Sequence, residues 1–153
     1  MFKNIVSSLF ALVAAPGKAW QSISSKEESQ ATFLNGYLYP IMGITALSVF
    51  VNLLNDQFTL EKALKLMTID FVKFFVGFYI ASFLIDELLQ KFFDREKNPK
   101  QVQLFVGYTL SVYMLITIFL NLFMGMFSFL RFAPLYIIYV IWEGSKYLSL
   151  IHI

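Results

Sequence analysis

Asp70 and Lys73 are the residues of this sequence best placed to do chemistry in a membrane, because both stand inside a long apolar stretch, residues 64–84. Ionisable side chains inside a transmembrane helix are costly and therefore indicate function by default. At a spacing of three residues the two side chains share one helix face, where they can neutralise each other. The sequence favours a structural ion pair. The alternative is one step of a proton or ion relay, which needs further acids at the same depth.

Glu143 is a second acid in an apolar segment. It shares a helix face with Tyr136 and Tyr139. This pattern favours an acid near the end of a span, beside a belt of interfacial aromatic residues. The alternative is a coupling or ligand-binding acid that works together with Asp70 and Lys73.

The residue sets on which most enzymes depend are missing from the sequence. There is no Cys, which excludes a thiolate metal site. His152 is the single histidine, so a nucleophile–base pair of the usual kind is missing, and an intramembrane enzyme is the least favoured alternative. No Gly-rich phosphate loop or HExxH spacing occurs. We therefore predict a protein without catalytic activity, cofactor or bound metal.

The segments that carry these residues are long enough to cross a bilayer. Residues 33–54 contain no charged side chain, and as a helix they cover about 33 Å. Hydrophobic residues make up 58% of the chain and charged residues only 14%, against roughly 25% charged in soluble domains. Further apolar segments occupy 64–84, 104–127 and the stretch from Pro134 through Glu143. The fold class is therefore predicted as an all-α, polytopic transmembrane helix bundle with four spans.

The N-terminal residues predict a helix lying in the membrane interface. Its apolar residues recur at steps of three and four: Phe2, Ile5, Val6, Leu9, Phe10 and Val13. Such an amphipathic pattern is typical of interfacial helices. Pro16 ends this helix, Trp20 is expected as an interfacial anchor, and Ser25 opens a capping box for the next helix. A cleaved signal peptide is the alternative, which the 3–4 periodicity disfavours.

Small and polar residues form two stripes that predict helix packing. Gly77 and Ala81 continue the face of Asp70 and Lys73 at small-xxx-small spacing. A second stripe, within about 80° of a helical wheel, lies in the third span: Gly107, Ser111, Asn121 and Gly125. A substrate path is the alternative for this second stripe. Pro40 predicts a kink in the first span.

Basic residues are distributed unequally over the two sides of the predicted membrane. Seven lie in the N-terminal segment and in the charged loop predicted at 86–103: Lys3, Lys18, Lys26, Lys91, Arg95, Lys97 and Lys100. The opposite side has Lys62, Arg131 and, by position, Lys65. The positive-inside rule then predicts a cytoplasmic N-terminus and loop. The loop has balanced charge, which indicates a solvated turn or, alternatively, a docking surface for a cytoplasmic partner.

Several motifs resemble those of the Yip membrane proteins, the Ypt/Rab-interacting group, particularly small prokaryotic members. The matching segments are Pro16-Gly17-Lys18-Ala19-Trp20, Leu38-Tyr39-Pro40, Gly107-Tyr108-Thr109-Leu110-Ser111 and Leu135-Tyr136-Ile137-Ile138-Tyr139 followed by Glu143-Gly144. Their order covers nearly the whole chain. The resemblance implies a five-helix membrane domain, with a fifth span after Gly144, in a bacterial inner membrane. It does not imply a Rab partner, which in eukaryotic relatives depends on cytosolic extensions.

The predicted organisation has three parts: an N-terminal cytoplasmic segment (1–32), a transmembrane domain of the Yip type (33–147) and a tail (148–153). The tail, LSLIHI, reads as a translated transposon adapter. The sequence therefore predicts that native residues stop near Tyr147. A genuine hydrophobic end is the alternative, and His152 is given no functional weight.

The combined prediction is a membrane scaffold that organises the membrane or its partners through helix contacts. Its expected partners are membrane lipids and either a second copy or other membrane proteins. Nucleic acid is not expected, because the net charge is only +2. The alternative function is a small transporter or channel subunit that uses Asp70, Lys73 and Glu143.

Overall fold

A computed structural model describes residues 2–25, 29–123 and 132–147, and all regular structure in these ranges is helical. The elements in chain order are α1 (Phe2–Ala14), α2 (Pro16–Ser25), α3 (Gln30–Phe33), a π-helical segment (Leu34–Leu38), α4 (Tyr39–Leu47), a 3₁₀ segment (Ser48–Leu54), α5 (Leu60–Phe93), α6 (Pro99–Leu122) and α7 (Pro134–Tyr147). Three helical stretches are long and apolar enough to cross a membrane: Gln30–Leu54, Leu60–Phe93 and Pro99–Leu122. The all-α class is thereby confirmed for the described ranges, with three candidate membrane spans.

The fourth predicted span corresponds to α7, which has 14 residues in the structure. That length covers about 21 Å, less than the roughly 30 Å of a hydrocarbon core. Residues 124–131 and the tail 148–153 lie outside the described ranges. The fourth span, and the fifth that the family resemblance implies, therefore stay predictions.

The first span is an irregular helix around Pro40. Proline has no N–H to donate, and its ring would clash with the carbonyl four residues earlier. The chain accommodates it by widening the preceding turn into the π-helical segment, where the N–H of Tyr39 bonds to the carbonyl of Leu34. Further along, the span tightens into the 3₁₀ segment Ser48–Leu54. The disturbance predicted at Pro40 thus takes the form of altered helix winding.

The predicted charged loop at 86–103 is wrong, because most of it is helical. Helix α5 continues to Phe93 and α6 begins at Pro99, so only residues 94–98 connect them. Asp94 closes α5 in the left-handed conformation, with φ of 52°, and the Asn98 side chain accepts the N–H of Gln101 at the start of α6. A helix can continue past the bilayer surface through charged residues. Its backbone hydrogen bonds stay within the helix, and water solvates the charged side chains.

The predicted capping box at Ser25 is also wrong. Ser25 is the last residue of α2, and Lys26, Glu27 and Glu28 lie outside the described ranges. The N-cap of the first span is Ser29, whose Oγ accepts the N–H of Thr32 at 3.1 Å. Both serines precede acceptable helix starts, so sequence alone did not distinguish them.

The apolar residues of α1 face in two directions. Ile5, Leu9 and Leu12 are buried against the rest of the protein, whereas Val6 and Phe10 are exposed. Helix α1 packs on both α2 and α6. The expectation of one apolar face turned wholly to the membrane is therefore replaced by a helix that shares its apolar surface between the bundle and its surroundings.

Helix α6 lies at the centre of the described bundle, in contact with α1, α5, α7 and the first span. Helix α5 is peripheral. Only 17% of its apolar window is buried inside the protein, against 44% for each of the other two candidate spans. The two sides of α6 therefore differ in how completely other helices of the described bundle cover them.

Candidate functional site

An open apolar groove runs along α6 between α5 and α7, and we call it the α5–α7 groove. Its cavity measures about 630 Å³. Six of its lining residues define its walls and floor: Gly77 and Ala81 on α5, Val106 and Leu110 on α6, and Ile138 and Ile141 on α7. A concave apolar surface of this kind inside a membrane protein receives either hydrocarbon chains or the side chains of another helix.

The groove continues toward the charged end of α5. A second cavity of about 320 Å³ shares several walls with the first and reaches Leu89, Trp142 and Ser145. The two helices that flank the groove are thus separated along most of the length of α7. A helix-length surface is left uncovered within the described part of the chain.

Gly77 faces this open space. A Cβ built on it would have no heavy atom within 4 Å, and Ala81, one turn further, is half-buried. The sequence predicted that these two residues pack a neighbouring helix. In the described ranges they border the groove, so no helix within those ranges uses the close approach that small residues permit.

Asp70 and Lys73 form an ion pair at the other end of the groove. Lys73 Nζ lies 2.9 Å from Asp70 Oδ1 and 4.8 Å from the centre of the Phe74 ring. The Asp70 side chain is 17% exposed and that of Lys73 is 51% exposed. Lys73 also lines the groove, so a half-exposed ammonium sits near the middle of the apolar stretch of α5.

Glu143 belongs to a separate pair. It lies on α7, 3.4 Å from Lys146 on the same helix. Each acid thus has as its partner the lysine three residues later on its own helix. Within the described ranges no group of three or more acidic or histidine side chains is arranged to hold a metal ion. The predicted set of Asp70, Lys73 and Glu143 is therefore split between two helices, with no hydrogen bond or ion pair joining its halves there.

A closed aromatic cluster, composed of Trp20, Phe33, Tyr37, Phe105 and Tyr108, lies mostly on the opposite side of α6. Its Phe105 also lines the α5–α7 groove. The ring centres of the cluster lie between 4.7 and 6.1 Å apart in five contacting pairs. Trp20 is completely buried, and its Nε1 donates a hydrogen bond to the carbonyl of Val140 at 2.9 Å. The expectation that Trp20 is an interfacial anchor is wrong, because its indole joins α2 to α7 inside the bundle.

Two glycines allow this cluster to close. A Cβ on Gly144 would lie 2.6 Å from Trp20 Cε2, and one on Gly107 would lie 2.8 Å from Phe33 Cε1. Both distances are shorter than real contacts permit. Around this cluster lie four residues of the Yip-like motifs, Trp20, Gly107, Tyr108 and Gly144, and Gly107 also belongs to the predicted packing stripe.

Two hydrogen bonds join the first span to α6. Tyr37 donates to Ser111 at 2.8 Å, which joins the first span to α6. Asn121 donates to Ser48 at 2.8 Å and makes the same connection at the far end. Gly125, the last residue of the predicted stripe, lies outside the described ranges. Interhelical bonds of this kind are worth about 0.6 kcal/mol on average in membranes.

The remaining motif residues lie around α7 and the start of α2. Tyr136 donates to the carbonyl of Val13 at 2.6 Å and so connects α7 to α1. The ring of Tyr139 lies 5.8 Å from that of Tyr136 and is largely exposed. Pro16 is buried at the beginning of α2. None of these three positions contributes to the α5–α7 groove.

Comparisons of the chain with protein-family models, with curated proteins and with solved structures find no match.

Proposed function

We propose that the protein is a non-catalytic membrane scaffold, and that the α5–α7 groove holds a transmembrane helix of its partner. The open position of Gly77 inside the groove carries this proposal; Gly36 and Gly43 also have no heavy atom within 4 Å of a built Cβ, but neither lines the groove. Helix association in lipid depends on close packing, because hydrocarbon tails are as apolar as the helix surface. A glycine with no neighbour within 4 Å, between apolar walls, supports a contact made with another chain.

Lys73 gives a second reason to expect a covering helix. A charged side chain at the centre of a span costs about 2.5–3.5 kcal/mol on insertion scales. Asp70 offsets part of this cost through the ion pair, but half of the Lys73 side chain stays exposed. A helix lying in the groove would shield that half from hydrocarbon.

We propose a second copy of this chain as the partner. Asp70 and Lys73 differ by about 4.5 Å in depth along the helix axis. In two parallel copies related by a two-fold axis, this difference in depth is the same within a copy and between copies. Asp70 of each copy could therefore pair with Lys73 of the other. Such an isologous contact uses the same stripe on both copies. Other membrane proteins are the alternative partners, and the same groove would receive them.

Cysteine cross-linking tests the second copy directly, because the native chain has no Cys. We expect Gly77→Cys to form disulfide-linked dimers in native membranes. Val72→Cys, exposed on a different face of α5, is the matched control and should remain monomeric. A photo-reactive residue placed at position 77 gives a second measurement. If it cross-links to a different membrane protein, that protein and not a second copy is the partner. Capture of lipid alone would contradict the scaffold.

We further propose that this is a Yip-type protein of the bacterial inner membrane with four spans in this chain, a fifth in the complete domain, and a cytoplasmic N-terminus. The basic residues near the α5–α6 connection support this orientation. The test is accessibility labelling at introduced cysteines: position 97 should react only from the cytoplasm and position 57 only from outside. Reaction of position 97 from outside would reverse the topology.

The alternative is a small transporter or channel subunit. The observation that favours it is the Asp70–Lys73 pair beside an open groove. Proteoliposomes containing the wild type should then show ion or proton flux, and the double variant Asp70→Asn/Lys73→Met should lack it. The scaffold proposal expects no flux from either protein.

A further inference from the structure

A small polar cavity lies between the end of α5 and the start of α6, separate from the α5–α7 groove. It measures about 280 Å³. The polar residues around it are Tyr79, Ser82, Asp86, Lys97 and Gln103, and we call it the Asp86 pocket. Neither the packing of the bundle nor the scaffold function accounts for it.

Ser82 is the first sign that the pocket receives a ligand. The residue is 5% exposed, and its Oγ has no hydrogen-bond partner within the described ranges. Buried hydroxyls nearly always find a partner, and a serine in a helix usually bonds to a carbonyl of the preceding turn. An unpartnered hydroxyl that lines a cavity is therefore available to a group inside it.

Asp86 is the second sign. It stands one helical turn after Ser82, on the same face of α5, and is 9% exposed. Its Oδ1 accepts the backbone N–H of Asn98 at 3.3 Å. It forms no ion pair in the part of the chain that the structure describes. A buried carboxylate normally has a cationic partner, because its desolvation is costly.

The nearby lysine does not supply that partner. Lys97 Nζ lies 2.5 Å from Glu87 Oε1. The hydrogen bond and charge of Glu87 raise the pKa of Lys97, and the charge of Asp86 adds a smaller contribution in the same direction. Lys97 and Glu87 thus neutralise each other at the rim. Counted together, Asp86, Glu87 and Lys97 therefore carry one net negative charge around the pocket.

The position of the pocket indicates where its ligand comes from. No charged residue occurs on α5 between Lys73 and Asp86, whereas Glu87 and Lys91 follow shortly after. Asp86 therefore lies where the apolar part of α5 gives way to its charged end. This is the depth of phospholipid headgroups.

We propose that the Asp86 pocket binds the primary ammonium group of a phospholipid headgroup. An ammonium has three N–H donors and a positive charge. One donor would go to the Asp86 carboxylate and one to the Ser82 hydroxyl, which satisfies both groups at once. A quaternary ammonium has no N–H to donate, so a choline headgroup cannot replace it.

The test compares ethanolamine and choline phospholipids with identical acyl chains, added to the purified full-length protein in detergent. Native mass spectrometry measures the affinity for each lipid. We expect the ethanolamine lipid to bind on the order of tenfold to a hundredfold more tightly, the range for a hydrogen bond to a charged group. Equal affinity for the two lipids would overturn the proposal.

Three variants assign the preference to the pocket. Asp86→Asn should reduce the affinity for the ethanolamine lipid to that for the choline lipid. Ser82→Ala should reduce it several-fold while leaving the protein folded, since it removes an unpartnered hydroxyl, and it carries the test if Asp86→Asn fails to fold. Asp94→Asn changes an exposed acid at the same end of α5 and should have no effect. A headgroup preference that survives Ser82→Ala unchanged would overturn the site.

Free ethanolamine separates the two sources of the ammonium. If the pocket serves a lipid, millimolar free ethanolamine should leave the bound lipid in place. Displacement of the lipid by the free amine would overturn the lipid source and assign the pocket to a soluble amine. An equal, Asp86-dependent stabilisation by sodium chloride alone would overturn the ammonium itself.

Discussion

The two sides of α6 use glycine for opposite purposes. On the aromatic side, Gly107 and Gly144 stand where a Cβ would overlap Phe33 or Trp20. On the groove side, Gly77 has nothing within 4 Å. The first two glycines let helices of this chain meet, and the third leaves a surface that no described residue covers. One side is therefore closed by contacts within the chain, while the other is left open within the described ranges.

Packing physics in lipid explains why this division is stable. Leaving the groove empty of protein costs little, because lipid tails fill an apolar surface nearly as well as side chains do. The closed side is different, since its rings lose contacts that lipid cannot replace once they are truncated. We therefore expect substitutions on the two sides to differ in their effect on stability.

The two tryptophans should show the largest difference. Trp20→Ala removes a fully buried indole and its hydrogen bond to Val140, and we expect it to lower the free energy of unfolding by about 3–5 kcal/mol. Trp142→Ala, at the edge of the groove and half-exposed, is the matched control with a much smaller loss. Unfolding by SDS in mixed micelles measures both. Equal losses would contradict the division of α6 into two sides.

Charge removal at the end of the groove should have the next largest effect. Asp70→Asn or Lys73→Met alone leaves a lone charge in the span, worth up to about 2.5–3.5 kcal/mol and less where Lys73 reaches toward water. The double variant should recover most of that stability, because no unpaired charge remains. The same unfolding assay measures all three proteins. A double variant as unstable as the singles would show that the pair does more than neutralise itself.

Replacing one glycine on each side by alanine compares the effect of a single added methyl group on stability. Gly107→Ala forces a Cβ against the Phe33 ring, and overpacking of this kind costs about 1–3 kcal/mol. Gly77→Ala meets no atom and should leave stability unchanged or slightly higher, since alanine favours the helix. Thermal melting of the two variants in detergent gives the comparison. Destabilisation by Gly77→Ala in the monomer would mean that the groove is already filled.

The smallest expected effect concerns one hydrogen bond. Tyr37→Phe removes the bond to Ser111 and should cost about 0.6 kcal/mol, the average for interhelical bonds in membranes. Tyr113→Phe, on the groove side and partly exposed, should cost less. A loss above about 1.7 kcal/mol for Tyr37→Phe would exceed the range measured for such bonds.

The spans were predictable because a run of apolar residues has one stable form in lipid. The positions of the uncharged runs therefore predicted the N-terminal ends of the helices Gln30–Leu54 and Pro99–Leu122 to within a few residues. The charged end of α5 was not predicted, since charge reports where a side chain meets water and does not report where a helix ends. The boundary at Phe93 depends instead on the left-handed residue Asp94.

The sites were less predictable than the spans. The 3–4 spacing in α1 and the tryptophan after Pro16 suggested an interface, because an indole suits both a membrane surface and a core. The complete burial of Trp20, its hydrogen bond to Val140 and the close approach of Gly144 show that Trp20 occupies the core. Ser82 and Asp86 stand one turn apart in the sequence, but their burial depends on the return of the chain at Asn98. The groove likewise depends on the separation of α5 and α7, which no single segment encodes.

The length of α5 makes the protein responsive to bilayer thickness. Its 34 residues extend about 51 Å, whereas a hydrocarbon core measures roughly 30 Å. Glu61 and Lys62 at one end and Asp86 and Glu87 at the other resist sliding into the apolar region. Thinning of the membrane is then met by tilting of α5 rather than by a shift along its axis. Since the short connection at 94–98 joins α5 to α6, the same tilt turns both helices and changes the angle of the groove in the membrane.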